Sequence, residues 1–459
     1  PQVRIGEKGE GRFRRISWDE AFDILVSRLT EIKQKYGGES ILPYSYAGKM
    51  GAVNRLAGYP FFHRLGTSRL DHTICSATAG AGWQKQCGSR PGSSPEKALD
   101  ANLIICWGII CRVTNAHFWQ YAVRARKRGC RILVIDPYRN FTAKSADIYQ
   151  PVKPGGDAAL ALGIIKALID RHFVVREYIH RKTEGFDQLS EYLENTEWKD
   201  FVAQSGVEKE RMEELAELLH QNPRTFLRYG VGLTRNSRGG MAVRAITSLA
   251  AVLGLYGGEK GRGILCMTGA FPGSKDKLLY PSLARETTRK VNMIHLGHAL
   301  TVLDPPVKGL FIYSSNPLSV NPDSGMVRRG LMREDLFTVV HEQVMTPTAR
   351  CADLLLPATT FLENRDINTS YGHFYLGVVG PVVPPVGEAL SNFDLFQTLA
   401  AKMGFTDEPF QQSCDERIAG YLGDMEGVPE NISLSEVMES GYILSTRAGQ
   451  TDLFSGGSY

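Results

Sequence analysis

Several short turns that follow apolar segments carry residue types suited to phosphate and nucleoside binding. These turns contain Gly108, Asp136, Gly155, Asp157, Gly232, Asn316 and Pro317. Glycine lets backbone N–H groups approach phosphate oxygens closely, and a carboxylate can accept hydrogen bonds from ribose or a guanine edge. Each turn taken alone is also consistent with an ordinary loop. None matches the full GxGxxG pattern, which disfavours a simple nicotinamide dehydrogenase.

Eight cysteines offer thiolate chemistry, and their spacing limits what that chemistry can be. No two of them form a CxxC pair, so local spacing builds neither a zinc ribbon nor a ferredoxin-type cluster. Several lie in apolar segments such as LIICW and GCRILV, which is typical of buried, reduced thiols and favours a reducing compartment. Cys75, taken alone, is most simply one more buried structural cysteine.

Strand-like and helix-like segments alternate from about residue 71 to residue 270. Buried strands are predicted over 102–107, 131–135 and 224–229, and helices over 115–128, 157–172, 208–220 and 240–255. This alternation predicts a mostly parallel sheet with helices on both faces. Since ligands of such sheets bind at the carboxyl ends of the strands, the turns described above lie where a ligand would bind.

The alternation restarts after about residue 272, with strands predicted over 310–314, 337–341 and 353–356. We interpret this region as a second α/β domain. Near the start of the chain, Ser17 is predicted to cap a helix that Gly37 ends, with Glu20 closing a capping box. We find no tandem repeat.

Composition and charge are ordinary for a globular protein, and they exclude several classes of function. The formal net charge of +4 is mild and its basic residues are scattered, which gives no indication of nucleic-acid binding. A modest positive bias suits a protein that holds anionic dinucleotides. No run approaches the roughly 18 apolar residues of a membrane span, and no signal peptide is visible at Pro1. The start at Pro1 and the closing LFSGGSY lead us to expect a piece of a longer protein.

Taken together, the motifs resemble those of one enzyme family. The opening GEKGEGRFRRISWDEAFDIL is similar to a segment of molybdopterin oxidoreductases of the dimethyl sulfoxide reductase and formate dehydrogenase superfamily. NLIICWG, RILVIDPYRNFTAKSAD and PVKPGGDAALALGI resemble that family's dinucleotide-binding strand ends in the right order. Later family blocks resemble YGVGLTRNSRGG, LFIYSSNPLSVNPD, EQVMTPTARCADLLLPATTFLE and YGHFYLGVVGPVVPPVGEALSNFDLF. The resemblance therefore spans essentially the whole chain.

The resemblance implies a metal-binding role for Cys75. In DHTICSATAGAGW it occupies the position where family members place Cys, selenocysteine, Ser or Asp as the ligand of molybdenum or tungsten. A thiolate suits a soft centre that four dithiolene sulfurs already surround. The small residues after Cys75 would let a bulky cofactor approach the following helix. The implied cofactor is a bis-molybdopterin guanine dinucleotide with Mo or W.

The resemblance also assigns contacts to two pterin dinucleotides. For the first, it implies two strand ends and a guanine-binding turn, namely Trp107, Gly108, Asp136, Pro137, Arg139, Gly155 and Asp157. For the second, it implies a pterin-facing turn and a guanosine-binding edge, namely Gly232, Thr234, Arg235, Arg238, Asn316, Pro317, Glu342 and Thr346. The candidate catalytic residues are Cys75, His72 and Arg238. His72 could shuttle protons or be a core or surface histidine, and Arg238 could be a solvated helix start.

Two positions depart from the family pattern. Family members often have Asn-Pro two residues after the Trp-Gly turn, whereas this chain has Ile110 and Cys111. Formate dehydrogenases commonly have His directly after the metal ligand, whereas this chain has Ser76. The first departure changes the side chains that the loop can offer, and the second removes the usual proton acceptor.

The implied fold class is α/β, with two Rossmann-like parallel-sheet domains, one inserted in the other, and a cofactor cleft between them. We expect residues 71–270 to form the inserted domain on the first dinucleotide side. Residues 1–70 and 271–459 would form the discontinuous domain on the second. An N-terminal Cys-rich segment with a 4Fe-4S cluster and a C-terminal dinucleotide-binding domain, usual in the family, would lie outside this chain.

The implied function is a two-electron oxidation or reduction of a small substrate, as in formate dehydrogenases or reductases of oxyanions and sulfur compounds. The resemblance also implies an iron-sulfur electron-transfer subunit as partner, without direct membrane insertion. The location would be cytoplasmic, or periplasmic behind an upstream twin-arginine signal. Three alternatives stay open. A plain nucleotide-binding regulator would need only one of the two sets of turns. A non-redox hydratase would use the same cofactor, and a cofactor-free scaffold subunit would lack the metal ligand.

Overall fold

The computed structural model describes residues 1–90, 92–257, 260–369, 372–430 and 432–449, so the closing LFSGGSY lies outside the described residues. The strands are β1 (Gln2–Arg4), β2 (Phe13–Arg15), β3 (Ile41–Ser45), β4 (Arg69–Asp71), β5 (Leu103–Trp107), β6 (Arg131–Ile135), β7 (Ile148–Gln150), β8 (Thr225–Tyr229), β9 (Gly263–Leu265), β10 (Lys290–Asn292), β11 (Gly309–Tyr313), β12 (Phe337–Glu342), β13 (Leu354–Pro357), β14 (Asp366–Thr369), β15 (Tyr375–Val379) and β16 (Ile443–Leu444).

The helices are α1 (Trp18–Tyr36), α2 (Ala52–Leu56), α3 (Gly58–Leu65), α4 (Ser76–Cys87), α5 (Cys111–Thr114), α6 (Ala116–Arg126), α7 (Asp157–Asp170), α8 (Arg176–Lys182), α9 (Phe186–Glu194), α10 (Trp198–Ser205), α11 (Lys209–Gln221), α12 (Gly239–Val252), α13 (Asp276–Leu279), α14 (Leu296–Thr301), α15 (Pro317–Val320), α16 (Ser324–Leu331), α17 (Asn392–Lys402), α18 (Cys414–Gly423) and α19 (Leu434–Ser440). The cap predicted for α1 forms, because the Ser17 side chain accepts a hydrogen bond from the Glu20 backbone N–H. The Glu20 carboxylate pairs with Arg14.

The chain divides into two compact units. Unit 1 contains Pro1–Thr73, Phe271–Thr369 and Tyr375–Leu444. Unit 2 contains Ile74–Ala270 and, of the described residues, 372–374 and 445–449. Each unit has its own hydrophobic core.

Unit 2 is built on a parallel five-stranded sheet with the order β7-β6-β5-β8-β9. The central strand β5 alternates its side chains between two buried cores, as a strand with helices on both faces must. Leu103, Ile105 and Trp107 join the core that contains α7 and α12. Ile104 and Cys106 join the core that contains α6. The carboxyl end of β5 is thereby held rigidly from both sides.

Unit 1 is built on a six-stranded sheet with the order β2-β1-β13-β12-β11-β3. The strands β3, β11, β12 and β13 are parallel, whereas β1 and β2 form an antiparallel edge. Tyr313 at the end of β11 is opposite His341 on one side and Ser45 on the other. A separate antiparallel sheet joins β14, β15 and β16. The carboxyl ends of three parallel strands therefore line up along one edge.

The predicted α/β class with parallel sheets is confirmed. The predicted strand over 131–135 coincides with β6, and the helix predicted over 157–172 ends at Asp170, before His172 adopts a left-handed conformation. The antiparallel strands were not predicted, because each is too short for its alternation to stand out. Within the described residues, no helix combines the length and the apolar character needed to cross a membrane.

Candidate functional site

Cys75 lies at the start of α4 in a conformation that non-glycine residues rarely adopt. It is the N-cap residue, with φ 53° and ψ −114°, and its thiol is free and partly exposed. Its carbonyl oxygen accepts hydrogen bonds from the Ala79 backbone N–H and from Thr234 Oγ1, at 3.2 and 3.1 Å. Strained residues of this kind persist where the surrounding structure fixes them, and they cluster at functional sites. Two of the predicted site residues, Cys75 and Thr234, are thus in direct contact.

Some of the small residues after Cys75 are packed inside unit 2, and others are exposed. Gly82 is buried, and a Cβ on it would overlap the carbonyl oxygen of Gly240 in α12. Gly82 therefore serves the contact between α4 and α12 within unit 2 rather than the approach of a cofactor. Ser76 and Ala77 are exposed and are the small residues open to a ligand.

A Gly82→Ala substitution is expected to lower the thermal stability of the protein. The added methyl group would force α4 away from the Gly240 carbonyl, at a destabilisation of about 1–3 kcal/mol, as for overpacked cores. Thermal unfolding measures this effect. Gly240→Ala is the matched control, since its Cβ would lie 3.7 Å from Thr78, an ordinary contact. Equal melting temperatures for the two variants would contradict the packing role of Gly82.

Three strand ends of unit 2 bring the first set of predicted residues together. Trp107 is fully buried, and its Nε1–H donates to Asp157 Oδ1 at 2.8 Å. Asp157 is the first residue of α7, and Asp136 directly follows β6. Burial raises the pKa of both carboxyl groups, and Asp136 further raises the pKa of Asp157. The edge thus holds two buried hydrogen-bond acceptors, whereas Pro137 and Arg139 are exposed beside them.

The glycine turns of this edge lie against one another. Gly108 ends β5 with φ 59°, which requires glycine or a strained residue. A Cβ on Gly230 or on Gly232 would overlap the carbonyl oxygen of Gly108. A Cβ on Gly155 would lie 3.4 Å from Asn236 Oδ1, so the turn before α7 reaches the turn after β8. The absence of side chains at these glycines therefore lets the three turns pack closely on one another.

The two arginines predicted for the turn after β8 do not enter the buried part of this edge. Arg235 and Arg238 are both exposed. The Arg238 guanidinium donates to Gln204 Oε1 at 3.2 Å, and its backbone N–H donates to Asn236 Oδ1 at 2.9 Å. Asn236, which the sequence analysis did not select, therefore organises the turn that precedes α12.

The predicted residues of unit 1 lie at the carboxyl ends of β11 and β12. Asn316 precedes α15, whose first residue is Pro317, and Asn316 Oδ1 accepts from Thr348 Oγ1 at 2.6 Å. Glu342 ends β12, and burial raises the pKa of its carboxyl group. Thr346 Oγ1 accepts from the backbone N–H of Ala349 at 3.1 Å. Thr348 is a further residue of this edge, which the sequence analysis did not select.

The two edges share a repeated loop. The letters TAKSAD follow β6 in unit 2, and TARCAD follow β12 in unit 1. Thr142 Oγ1 accepts from the backbone N–H of Arg112 in α5 at 3.2 Å. Thr348 Oγ1 likewise accepts from the backbone N–H of Leu318 in α15 at 3.1 Å. In each unit, one threonine hydroxyl ties the loop after one strand to the short helix after its neighbour.

The repeat extends to the strand ends themselves. Gly108 after β5 and Ser314 after β11 both have positive φ, 59° and 51°. If Gly108 is aligned with Ser314, Ile110 and Cys111 of unit 2 align with Asn316 and Pro317 of unit 1. The Asn-Pro pair that the first edge lacks is therefore present in the second.

His72 is held inside unit 1 by hydrogen bonds at both ring nitrogens. Its Nε2 lies 2.8 Å from the carbonyl oxygen of Ser45, and its Nδ1 lies 3.3 Å from Tyr59 Oη. A carbonyl only accepts, so Nε2 carries the proton and Nδ1 accepts from the tyrosine hydroxyl. A proton relay through this imidazole would require one of these two bonds to open.

His341, the residue before Glu342, makes the stability of unit 1 sensitive to acid. His341 is 1% exposed, and burial together with the positive charge of Lys49 lowers its pKa from 6.5 to about 4. The folded state therefore binds fewer protons than the unfolded chain between pH 6.5 and 4. Stability is retained above pH 6.5 and is lost as the pH falls through this window, by about 2 kcal/mol at pH 5.

The melting temperature of the protein is accordingly expected to fall between pH 7 and pH 5, and less steeply in His341→Gln. Glutamine can still donate to the carbonyl oxygen of Pro357, which lies 3.2 Å from His341 Nε2. The exposed His298 provides the control, since His298→Gln should retain the wild-type slope. Parallel slopes for wild type and His341→Gln would exclude His341 as the source.

The described residues contain no group of three His, Cys, Asp or Glu side chains arranged to hold a metal ion. The molybdopterin oxidoreductase family model matches residues 1–402. The chain belongs to the molybdopterin oxidoreductase family. Its resemblance to that family, expected from the motifs, is thereby confirmed.

Two proteins of Bacillus subtilis are similar to this chain over most of its length. A probable oxidoreductase, YoaE, from Bacillus subtilis (strain 168) is 39% identical over 95% of this chain and 64% of its own length. A second, YyaE, from the same organism is 31% identical over 95% of this chain and 65% of its own length. The chain thus spans just under two thirds of these relatives.

The fold itself matches a solved structure. The structure of acetylene hydratase from Pelobacter acetylenicus superposes with a TM-score of 0.81 at 24% sequence identity. The match covers 97% of this chain and 66% of that structure. The α/β architecture described above is therefore also the fold of this hydratase.

Proposed function

We propose that this protein binds a bis-molybdopterin guanine dinucleotide with Mo or W through Cys75 and carries out a two-electron oxidation or reduction of a small substrate. The observation that carries the proposal is Cys75 itself, a free thiol held in a strained N-cap conformation by Thr234. The same proposal includes a 4Fe-4S cluster and an iron-sulfur electron-transfer subunit. Both rest only on the resemblance of the sequence motifs to the family.

The donor set fits this cofactor. Cys75 would supply one soft ligand, and the turns of Gly108 and Gly232 would offer backbone groups to pyrophosphate. Asp157 would accept hydrogen bonds from a guanine edge, with Trp107 holding its other contact fixed. The loop of Glu342, Thr346 and Asn316 would do the same for the second dinucleotide. When bound, the cofactor supplies a metal centre that exchanges two electrons with the substrate.

The roles of the other predicted residues follow from their positions. Thr234 would orient Cys75 by fixing its carbonyl group. The exposed Arg235 and Arg238 would contribute charge toward pterin or phosphate acceptors, for which the planar guanidinium is suited. His72 would stabilise the loop that precedes Cys75 through its two hydrogen bonds.

An electron-acceptor assay tests the redox part of the proposal. The protein, purified anaerobically, should oxidise formate with a viologen dye or oxidise reduced viologen with nitrate or a sulfoxide. A hydratase is the second candidate, because the fold matches that of acetylene hydratase. It would convert an alkyne and water without any dye reaction. A protein with neither activity and no metal or pterin would instead be a scaffold subunit, and the proposal would fail.

A further inference from the structure

Two buried cysteines of unit 2 lie next to each other under the first dinucleotide edge. The Sγ atoms of Cys106 and Cys111 are 3.7 Å apart, and both residues are 0% exposed. Cys106 lies in β5, and Cys111 is the first residue of α5. Closing this gap to the S–S distance of about 2.0 Å requires a shift of less than 2 Å.

The loop between Cys106 and Cys111 turns the chain back toward β5. Gly108, with φ 59°, turns the backbone after Trp107, and α5 then places Cys111 over Cys106. In the repeated loop of unit 1, Ile312 and Pro317 hold the equivalent positions. The loop conformation therefore does not depend on cysteine at either place, and the thiol pair is a feature of one edge only.

A buried cation accompanies the two thiols. Arg228 is 3% exposed, and its guanidinium donates to Asn115 Oδ1 and to the carbonyl oxygens of Tyr229 and Leu265, which are all neutral acceptors. The hydrogen bond with Cys106, and then the charge of Arg228, lower the pKa of Cys111. The hydrogen bond with Cys111, together with burial, raises the pKa of the Cys106 thiol. A thiol with a lowered pKa next to a second thiol is the arrangement from which a disulfide forms.

We propose that Cys106 and Cys111 form a redox-active dithiol that hydrogen peroxide converts to an intramolecular disulfide. The Cys111 thiolate attacks one peroxide oxygen, the O–O bond breaks, and Cys111 becomes a sulfenic acid as hydroxide leaves. The Cys106 sulfur then attacks the Cys111 sulfur. The S–S bond forms, the S–O bond breaks, and water leaves with the Cys106 proton. Two thiols lose two electrons, and the peroxide is reduced to water.

Access for the peroxide comes through the short helix that carries Cys111. The next three residues, 112–114, are exposed, and α5 is a single turn that can open locally. Disulfide closure would pull α5 toward the end of β5 and so act on the Trp107 and Gly108 turn. This effect on the turn matters for dinucleotide binding only if the proposed function holds, whereas disulfide formation does not depend on it.

Peptide mapping tests the proposal directly, because trypsin cleavage after Lys97 and Arg112 releases one peptide with both cysteines and no other. The native protein, purified anaerobically, is treated with hydrogen peroxide, denatured and alkylated with iodoacetamide. We expect this peptide to lose both alkylation sites and to be two hydrogen atoms lighter. A thiol reductant added before alkylation should restore both sites.

Cys130→Ser is the matched control, since Cys130 lies in the same core and should not alter the link. Cys111→Ser should abolish the mass change, and Cys106→Ser should leave a sulfenic acid on Cys111. A peptide that keeps both thiols free after peroxide treatment of the native protein would overturn the proposal. So would a link from Cys106 or Cys111 to any other cysteine. The mapping reads thiols rather than metal or pterin, so its failure is distinct from failure of the proposed function.

Discussion

A Cys75→Ala substitution is expected to abolish turnover and to weaken retention of the metal, which the four dithiolene sulfurs of the cofactor would still hold. Alanine retains the Cβ, so the strained φ of 53° and the hydrogen bond from Thr234 to the carbonyl oxygen are compatible with the variant. Only the sulfur is lost. Loss of residues that merely orient metal ligands reduces metal affinity or activity 10–100-fold, so removal of the ligand itself should exceed about 100-fold. Elemental analysis and an activity assay on the same preparation measure both effects.

The control for this substitution is Cys414→Ala. Cys414 is also a free, partly exposed cysteine, but it begins α18 in unit 1 and its thiol lies 3.7 Å from the carbonyl oxygen of Arg365. This variant should retain metal and activity. The role given to Cys75 would be wrong if Cys75→Ala kept its activity, or if both variants lost activity equally.

An Asp157→Asn substitution is expected to weaken retention of the guanine nucleotide about 10- to 100-fold. The asparagine oxygen can still accept the Trp107 Nε1–H bond, and burial already disfavours the charge that is removed. The fold should therefore survive. What is lost is a charged acceptor, whose hydrogen bonds contribute roughly 1.5–3 kcal/mol. Nucleotide released by acid from dialysed protein, relative to wild type, measures the loss.

Asp170→Asn provides the control for helix charge. Asp170 is the last residue of α7 and is exposed, so the same change of side chain occurs at the opposite end of the same helix. This variant should retain its nucleotide as wild type does. Full retention by Asp157→Asn would show that its carboxylate does not bind guanine.

The fold could be predicted from the sequence wherever burial left a clear pattern of apolar residues. β5 and β6 are continuous apolar runs because helices cover both faces of their sheet, and such runs stand out in a sequence. Short antiparallel strands such as β1 and β2 carry no such signal. Their pairing is decided by contacts between distant segments, for example Val3 with Leu354.

For the candidate site, the sequence indicated individual residues, and the structure shows how those residues are arranged. The sequence indicated Trp107 and Asp157 as separate contacts, whereas the structure joins them by a hydrogen bond. The repeat that relates Thr142 to Thr348 was missed, because the similar letters TAKSAD and TARCAD are short and lie far apart in the chain. The equivalent hydrogen bonds to Arg112 and Leu318 show that the two copies also share a structure. Both copies have Thr-Ala followed by a basic residue, and both come a few residues after an acidic residue at the end of a strand. A search for this pattern would have found them.

The central proposal is that each unit provides one dinucleotide-binding edge and that Cys75 holds the metal. The measurement that tests it most directly is the ratio of guanine nucleotide to molybdenum or tungsten in anaerobically purified protein, after acid hydrolysis. Two guanine nucleotides are expected for each metal ion, because the strand ends at Asp136 and Glu342 carry the same repeated loop. One nucleotide for each metal ion, or metal with no nucleotide at all, would contradict the proposal.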